Sequence, residues 1–219
     1  MSSRILSLDA QGQPSRWISY EDAITYHAKN LVAWQLGEGK GDVVFRGGEN
    51  RITGLTSTIQ TAPIIAVKGH AAAAKRMHKA PPLTNRELFR RDRHMCAYCG
   101  KFFSEFKLTR DHVTPTSKGG RDIWTNVVTA CETCNHKKDD KLLEECGMKL
   151  LYVPYVPNLA EALILQNRNI LAEAMAVTED GEEENPAAKC QVDYLKSFWP
   201  AHSRLWEELQ SLSTAGKAA

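Results

Sequence analysis

Apolar residues come in short runs in the first third of the chain and at helical spacing elsewhere. Arg4-Ile5-Leu6-Ser7-Leu8 reads as a strand, as do Asp42-Val43-Val44-Phe45 and Ile64-Ile65-Ala66-Val67. Between them, Ile24, Ala28, Leu31, Val32 and Leu36 recur at helical spacing. Ser19 is placed to cap that helix, with Asp22 three residues on, and Gly37 to stop it. Glycines are frequent from 37 to 48, but no Gly-Lys-Ser/Thr closes the run, so they read as turns between strands and not as a phosphate loop.

Residues 70–82 form a basic connector ending in Pro81-Pro82. A short basic helix is predicted over 85–91, with Thr84 as its cap and Glu87 completing a capping box. Beyond a cysteine-bearing stretch, residues 149–157 read as an extended strip held open by Pro154 and Pro157. An amphipathic helix is predicted over 158–177, with Leu159, Leu163, Ile170, Leu171 and Met175 on its apolar side. An acidic solvated loop covers 179–184, and Phe198, Trp199, Leu205, Trp206, Leu209 and Leu212 mark a helical tail that packs back. The expected fold class is α+β in three regions: an N-terminal α/β accessory region over 1–80, a cysteine-bearing domain over 81–157 and a C-terminal helical extension over 158–219.

A chain of 219 residues has room for one sizeable domain or two small ones, and 42% hydrophobic with 25% charged residues excludes wholesale disorder. No apolar run approaches the roughly 18 residues of a membrane span. The N-terminus carries no secretory signal, so a cytoplasmic location is expected. Charge changes the picture more. The net +2 conceals a block over 75–141 with 15 basic and 8 acidic side chains, whereas 161–219 has 5 basic and 10 acidic. A polyanion partner is to be sought at the central block.

Four of the six cysteines form two pairs, Cys96-x-x-Cys99 and Cys131-x-x-Cys134, with 31 residues between them. Four soft thiolates so arranged suit tetrahedral Zn²⁺, and Gly100 permits the tight turn of a knuckle. A site closed by four thiolates is structural and not catalytic. Cys146 and Cys190 stand alone and read as buried or free thiols.

Between the pairs lies the candidate chemistry. Thr109-Arg110-Asp111-His112-Val113 reads as a strand, Ser117-Lys118-Gly119-Gly120 as a turn, and Asn126 follows His112 by 14 residues. Asn135 directly follows the last cysteine of the pairs, 23 residues after His112, and His136, Lys137 and Lys138 come next, where a helix is predicted to begin. This run, from Cys96 to Lys138, resembles the HNH nuclease module, also called the ββα-metal or His-Me finger, in its four-cysteine branch. The likeness rests on the Asp111-His112 doublet on the first strand, Asn126 in the connecting loop and Asn135 on the helix after a cysteine. It covers about 84–147, a third of the chain, with a softer likeness in the flanks.

The resemblance implies a zinc-stapled ββα module and a metal-dependent endonuclease yielding 5′-phosphate and 3′-hydroxyl ends. In it His112 is the general base, and Asp111 and Asn135 are hard oxygen ligands for catalytic Mg²⁺ or Mn²⁺. Asn126 holds the loop and orients His112. The family's final histidine position is Asn135 here. His136 is the alternative ligand, but adjacent helical residues point about 100° apart and both would not serve. Arg110, Lys118, Arg121, Lys137 and Lys138 are the candidate phosphate contacts of the basic block. The expected partner is DNA, double-stranded because a ββα module lays its helix along a groove, and a double cut by single sites would favour a homodimer. Two other readings fit the cysteines and the charge: a non-catalytic zinc module that binds nucleic acid, and an RNA-directed nuclease.

Overall fold

The structure is a computed structural model that describes residues 4–69, 80–178 and 180–215. Most of the basic connector, 70–79, and Glu179 of the acidic loop lie outside the described residues. The described chain is a mixed α+β protein and divides into two compact units, one formed by 1–79 with 159–219 and the other by 80–158. No described helix is long and apolar enough to cross a membrane.

The first unit is built on a four-stranded sheet. Strands β1 (Ile5–Leu8), β2 (Pro14–Ile18), β3 (Val32–Leu36) and β6 (Ile64–Val67) lie in the order β2-β1-β6-β3. The central pair, β1 and β6, runs parallel and every residue in it is buried, which is why both sequences, Ser7 apart, are apolar without alternation. One face, with Ile5, Ile18, Ile65 and Val67, packs against Ala23 of the helix that follows β2. The other face presents Leu6, Leu8, Ile64 and Ala66 and is covered by the C-terminal helices through Leu163, Ile164, Leu171, Val192, Leu195 and Leu205. Thus the accessory region and the helical extension, read from sequence as separate, pack as one body, because a sheet with apolar residues on both faces must bury both.

Several local expectations change here. Ser19 does cap helix α1 (Tyr20–Ala28), its hydroxyl accepting from the Asp22 N–H, but the helix ends at Ala28 and not at Leu36. Asn30 turns the chain through a left-handed conformation (φ 54°), and Leu31 to Leu36, which also fit helical spacing, become the approach to and body of β3, where pairing with β6 outweighs periodicity. Strands β4 (Val43–Glu49) and β5 (Thr56–Thr61) form a separate antiparallel ribbon. The helix expected over 158–177 is two, α5 (Leu159–Gln166) and α6 (Asn169–Met175). Ala160 to Leu165 is buried without interruption, so α5 is a core helix with no solvent stripe. Helices α7 (Pro186–Lys196) and α8 (Leu205–Ala215) complete the unit, and the Gln191 amide of α7 donates to the carbonyls of Arg4 and Pro63 beside the sheet.

The second unit contains α2 (Asn85–Arg91), β7 (Leu108–His112), β8 (Val127–Cys131), α3 (Glu132–Lys138) and the short α4 (Leu143–Cys146). The Thr84 hydroxyl caps α2 as expected, but Glu87 pairs with Arg90. Strands β7 and β8 pair antiparallel, with Leu108 opposite Cys131 and His112 opposite Val127. Leu88, Phe89, Leu108, Trp124 and Val127 form the core.

The hub of this unit is Arg91, whose guanidinium is buried and uses all five N–H groups. It pairs in bidentate fashion with Asp92 and donates to the carbonyls of Trp124, Val127 and Tyr155 at 2.8–2.9 Å. Asp92 in turn accepts from the Thr129 N–H. One cation thereby ties α2, the loop before β8, β8 itself and the strip after α4. Arg91→Ala strands a buried carboxylate and three carbonyls, and is expected to cost about 3–5 kcal/mol. Denaturant unfolding followed by hydrogen exchange over 80–158 checks this, and a loss below about 1 kcal/mol would contradict the role of Arg91 as hub.

Candidate metal centre and active site

Cys96 and Cys99 flank the knuckle, whose turn closes at Gly100 (φ 71°) with the Gly100 N–H donating to the Cys96 carbonyl. Cys131 ends β8 and Cys134 lies in the first turn of α3. The Ala97 N–H donates to the Thr129 carbonyl at 2.8 Å, which lays the knuckle against β8. The four sulfurs lie within 4.8 Å of one another. Tetrahedral zinc with Zn–S bonds of about 2.3 Å requires sulfurs about 3.8 Å apart, so the cluster fits zinc in both geometry and donor type. Burial, then the neighbouring sulfurs, push the Cys134 thiol well above its ordinary value, which is the cost that a bound cation removes. Cys146 and Cys190 lie outside the cluster.

On β7 the side chains alternate. Thr109 and Asp111 turn toward α3, while Arg110 and His112 turn toward the loop that joins β7 to β8. Asp111 is 5% exposed. One carboxylate oxygen accepts from the Tyr98 hydroxyl of the knuckle, and the other accepts from the Lys138 ammonium at 3.1 Å. Lys138 is fully buried and also donates to the His112 carbonyl at 2.7 Å. Lys138 therefore does not serve as the surface phosphate contact expected of it; the unit spends this charge inside. The Tyr98 hydroxyl is held protonated by burial and by the carboxylate beside it.

His112, at the end of β7, is a quarter exposed. Its Nε2 lies 3.0 Å from Asp122 Oδ1. Asp122 also takes two hydrogen bonds from Arg110 Nη1, at 2.9 and 2.7 Å. Partial burial opposes ionisation of Asp122, but hydrogen bonds from Arg110 and His112 outweigh it and hold the carboxyl below its usual range. Asn126 closes the loop: its amide oxygen accepts from the Thr114 N–H, and its amide nitrogen donates to the carbonyls of Thr114 and Arg121. These bonds close the loop without reaching the His112 ring, whose side-chain partner is Asp122. The loop is tight at Gly120, where a Cβ would lie 1.8 Å from the Thr114 carbonyl oxygen.

On α3, Asn135 donates its amide nitrogen to the Thr109 hydroxyl at 2.9 Å, which leaves its amide oxygen as the group able to take a cation. His136 turns back on its own helix, with Nδ1 2.7 Å from the Glu132 carbonyl. The donor types at Asp111 and Asn135 suit a hard divalent ion, and each Asp111 oxygen, accepting one hydrogen bond, keeps a lone pair for it. The phosphate-contact candidates divide. Arg110 is held by Asp122 and by the Leu83 carbonyl, Lys118 pairs with Glu145, and Arg121 and Lys137 are exposed.

Sequence reasoning missed Asp122, Tyr98 and Thr109. A period-2 reading of β7 pairs Arg110 with His112 on one face, and so signals that a shared partner is needed, but it does not say which loop residue supplies it.

Residues 96–151 match the family model for HNH endonucleases. The four clustered cysteines fit a zinc-binding variant of that family. No curated protein matches the chain at a significant level. The match covers the knuckle, β7, β8 and α3, and leaves the first unit outside it.

The cluster leads to a metal-removal test. The purified chain is expected to carry about one zinc per chain, and chelation or Cys131→Ser to abolish hydrogen-exchange protection across 96–138 while the sheet of the first unit stays protected. Elemental analysis with exchange mass spectrometry reads both. Equal protection in zinc-free protein would contradict the structural role of the cluster.

Proposed function

We propose that the chain is a metal-dependent endonuclease that hydrolyses DNA phosphodiester bonds, leaving 5′-phosphate and 3′-hydroxyl ends. The observation that carries this reading is the position of His112, a partly exposed imidazole at the end of β7 within a segment matching the HNH endonucleases. A neutral imidazole there takes a proton from the water that attacks phosphorus. Asp111 and Asn135 are the residues that would hold Mg²⁺ or Mn²⁺, and the ion would supply charge neutralisation at a non-bridging oxygen and at the leaving 3′ oxygen. Lys138 adds a fixed positive charge beside Asp111 and fixes the His112 backbone, so the ring projects from an anchored strand end. Asn126 keeps the loop that faces the ring closed. The zinc cluster is structural: four thiolates leave no open position. Among the candidate contacts, Arg121 and Lys137 are the exposed cations left to meet phosphate, and double-stranded DNA is the proposed substrate. A double cut would call for two such sites, and hence a dimer.

A second reading, a non-catalytic zinc module that binds nucleic acid, is favoured by one observation. Asp111 is nearly inaccessible and both its oxygens are engaged. His112→Ala separates the two. With supercoiled plasmid and Mg²⁺ or Mn²⁺, the wild type is expected to nick or linearise, and the variant to lose at least about 100-fold in rate with zinc content and DNA affinity retained. Metal-dependent cleavage undiminished in the variant would remove His112 from the mechanism. Binding without cleavage under any metal would favour the second reading, with single-stranded RNA the next substrate to try.

A further inference from the structure

Resting on the nuclease reading, we propose that Asp122 is a positioning residue that fixes the tautomer and the orientation of the His112 ring. Arg110 and His112 are two residues apart on one strand and so share a face. Asp122 comes from the opposite side of the loop and meets both: His112 Nε2 lies 3.0 Å from Oδ1, while Arg110 Nη1 lies 2.9 Å from Oδ1 and 2.7 Å from Oδ2. The guanidinium is itself moored, its Nη2 donating to the Leu83 carbonyl at 3.2 Å. The carboxylate is thus held from two directions and has little freedom to swing away from the imidazole.

An ionised carboxylate only accepts hydrogen bonds, so the nitrogen facing it must carry the hydrogen. That nitrogen is Nε2. The hydrogen then sits on Nε2, and Nδ1 is left with the free lone pair. Of the two ring nitrogens, Nδ1 is therefore the one that can accept a proton from an attacking water, and it is presented on the side away from Asp122. Asn126, the residue expected from sequence to orient the ring, spends its amide on Thr114 and Arg121. Without Asp122 the ring would be free to rotate and to populate both neutral tautomers, and only part of the population would present an acceptor to the water. Asp122 touches neither the phosphate nor the attacking water in this scheme, and acts only through His112.

The Asp122 side chain is 52% exposed, so its removal leaves the fold intact, and Asp122→Ala is a usable variant. Two readouts test the proposal. Single-turnover plasmid cleavage is expected to slow about 10- to 100-fold in Asp122→Ala, with DNA affinity and zinc content unchanged; Asp122→Glu, which keeps the acceptor, is expected to recover part of the rate. Long-range ¹H–¹⁵N spectra, with His112 assigned by its loss in His112→Ala, are expected to show the Nε2–H tautomer in the wild type and a tautomer mixture in Asp122→Ala. A purely structural role would not move this signature. An Nδ1–H ring in the wild type overturns the proposal, as does wild-type cleavage with an unchanged rate in Asp122→Ala. Absence of cleavage by the wild type overturns the nuclease reading, and this proposal falls with it.

Discussion

A lysine with no exposed surface sits where the β7–β8 strand pair meets helix α3. An ammonium in that position must be paired, and Lys138 finds its partners in the Asp111 carboxylate and the His112 carbonyl. Both acceptors belong to the same two-residue step at the end of β7, so one buried charge sets where that strand stops and how it leans on the helix. The alternation of the strand then does the rest: Asp111 is drawn inward to Lys138 and Tyr98, and the His112 ring is driven to the opposite side, where Asp122 and Arg110 receive it. The doublet so conspicuous in the sequence is split between two faces by this constraint. On the proposed function, the inward member keeps a cation beside it at all times, and the outward member meets water.

Two further clamps hold that arrangement in register. The Arg91 guanidinium gathers carbonyls from Trp124, Val127 and Tyr155, and zinc held by the cysteine cluster would fasten the knuckle to the start of α3. They act on different ends of the unit. Arg91 fixes β8 from beneath through Asp92 and Thr129, whereas the sulfurs fix the β8–α3 corner from which Asn135 and Lys138 project. Tyr98, lying between the two cysteines of the knuckle, donates its hydroxyl to the Asp111 carboxylate. A module of about 80 residues has a small core, and its precision at His112 is better supported by such polar clamps than by apolar burial alone.

What could be read from the sequence was the part written locally. The cysteine spacing, the β7 strand with its doublet, the loop-closing Asn126 and the Thr84 cap each depend on residues a few positions apart or on a motif with fixed spacing. What could not be read was the burial of charge. Lys138 and Arg91 belong to residue types that are rarely buried fully, so a basic run invites a solvated or phosphate-binding reading. Only the folded unit reveals that both are spent inside. Asp122, half exposed, was hidden for another reason: its partners are 10 and 12 residues away. In the first unit, Leu31, Val32 and Leu36 satisfied helical and strand patterns alike, and pairing with β6 decided between them. The union of the N-terminal sheet with helices that begin at Leu159 is a long-range contact to which local periodicity is blind.

The central claim is chemical, and the ends of the product report it. Nicked plasmid made by the chain, freed of protein, would be treated with DNA ligase without any prior kinase or phosphatase step. Direct resealing is predicted, because attack of water on phosphorus with loss of the 3′ oxygen leaves a 5′-phosphate beside a 3′-hydroxyl. Nicks that ligase seals only after end repair, or no nicks at all with either metal, would contradict the account.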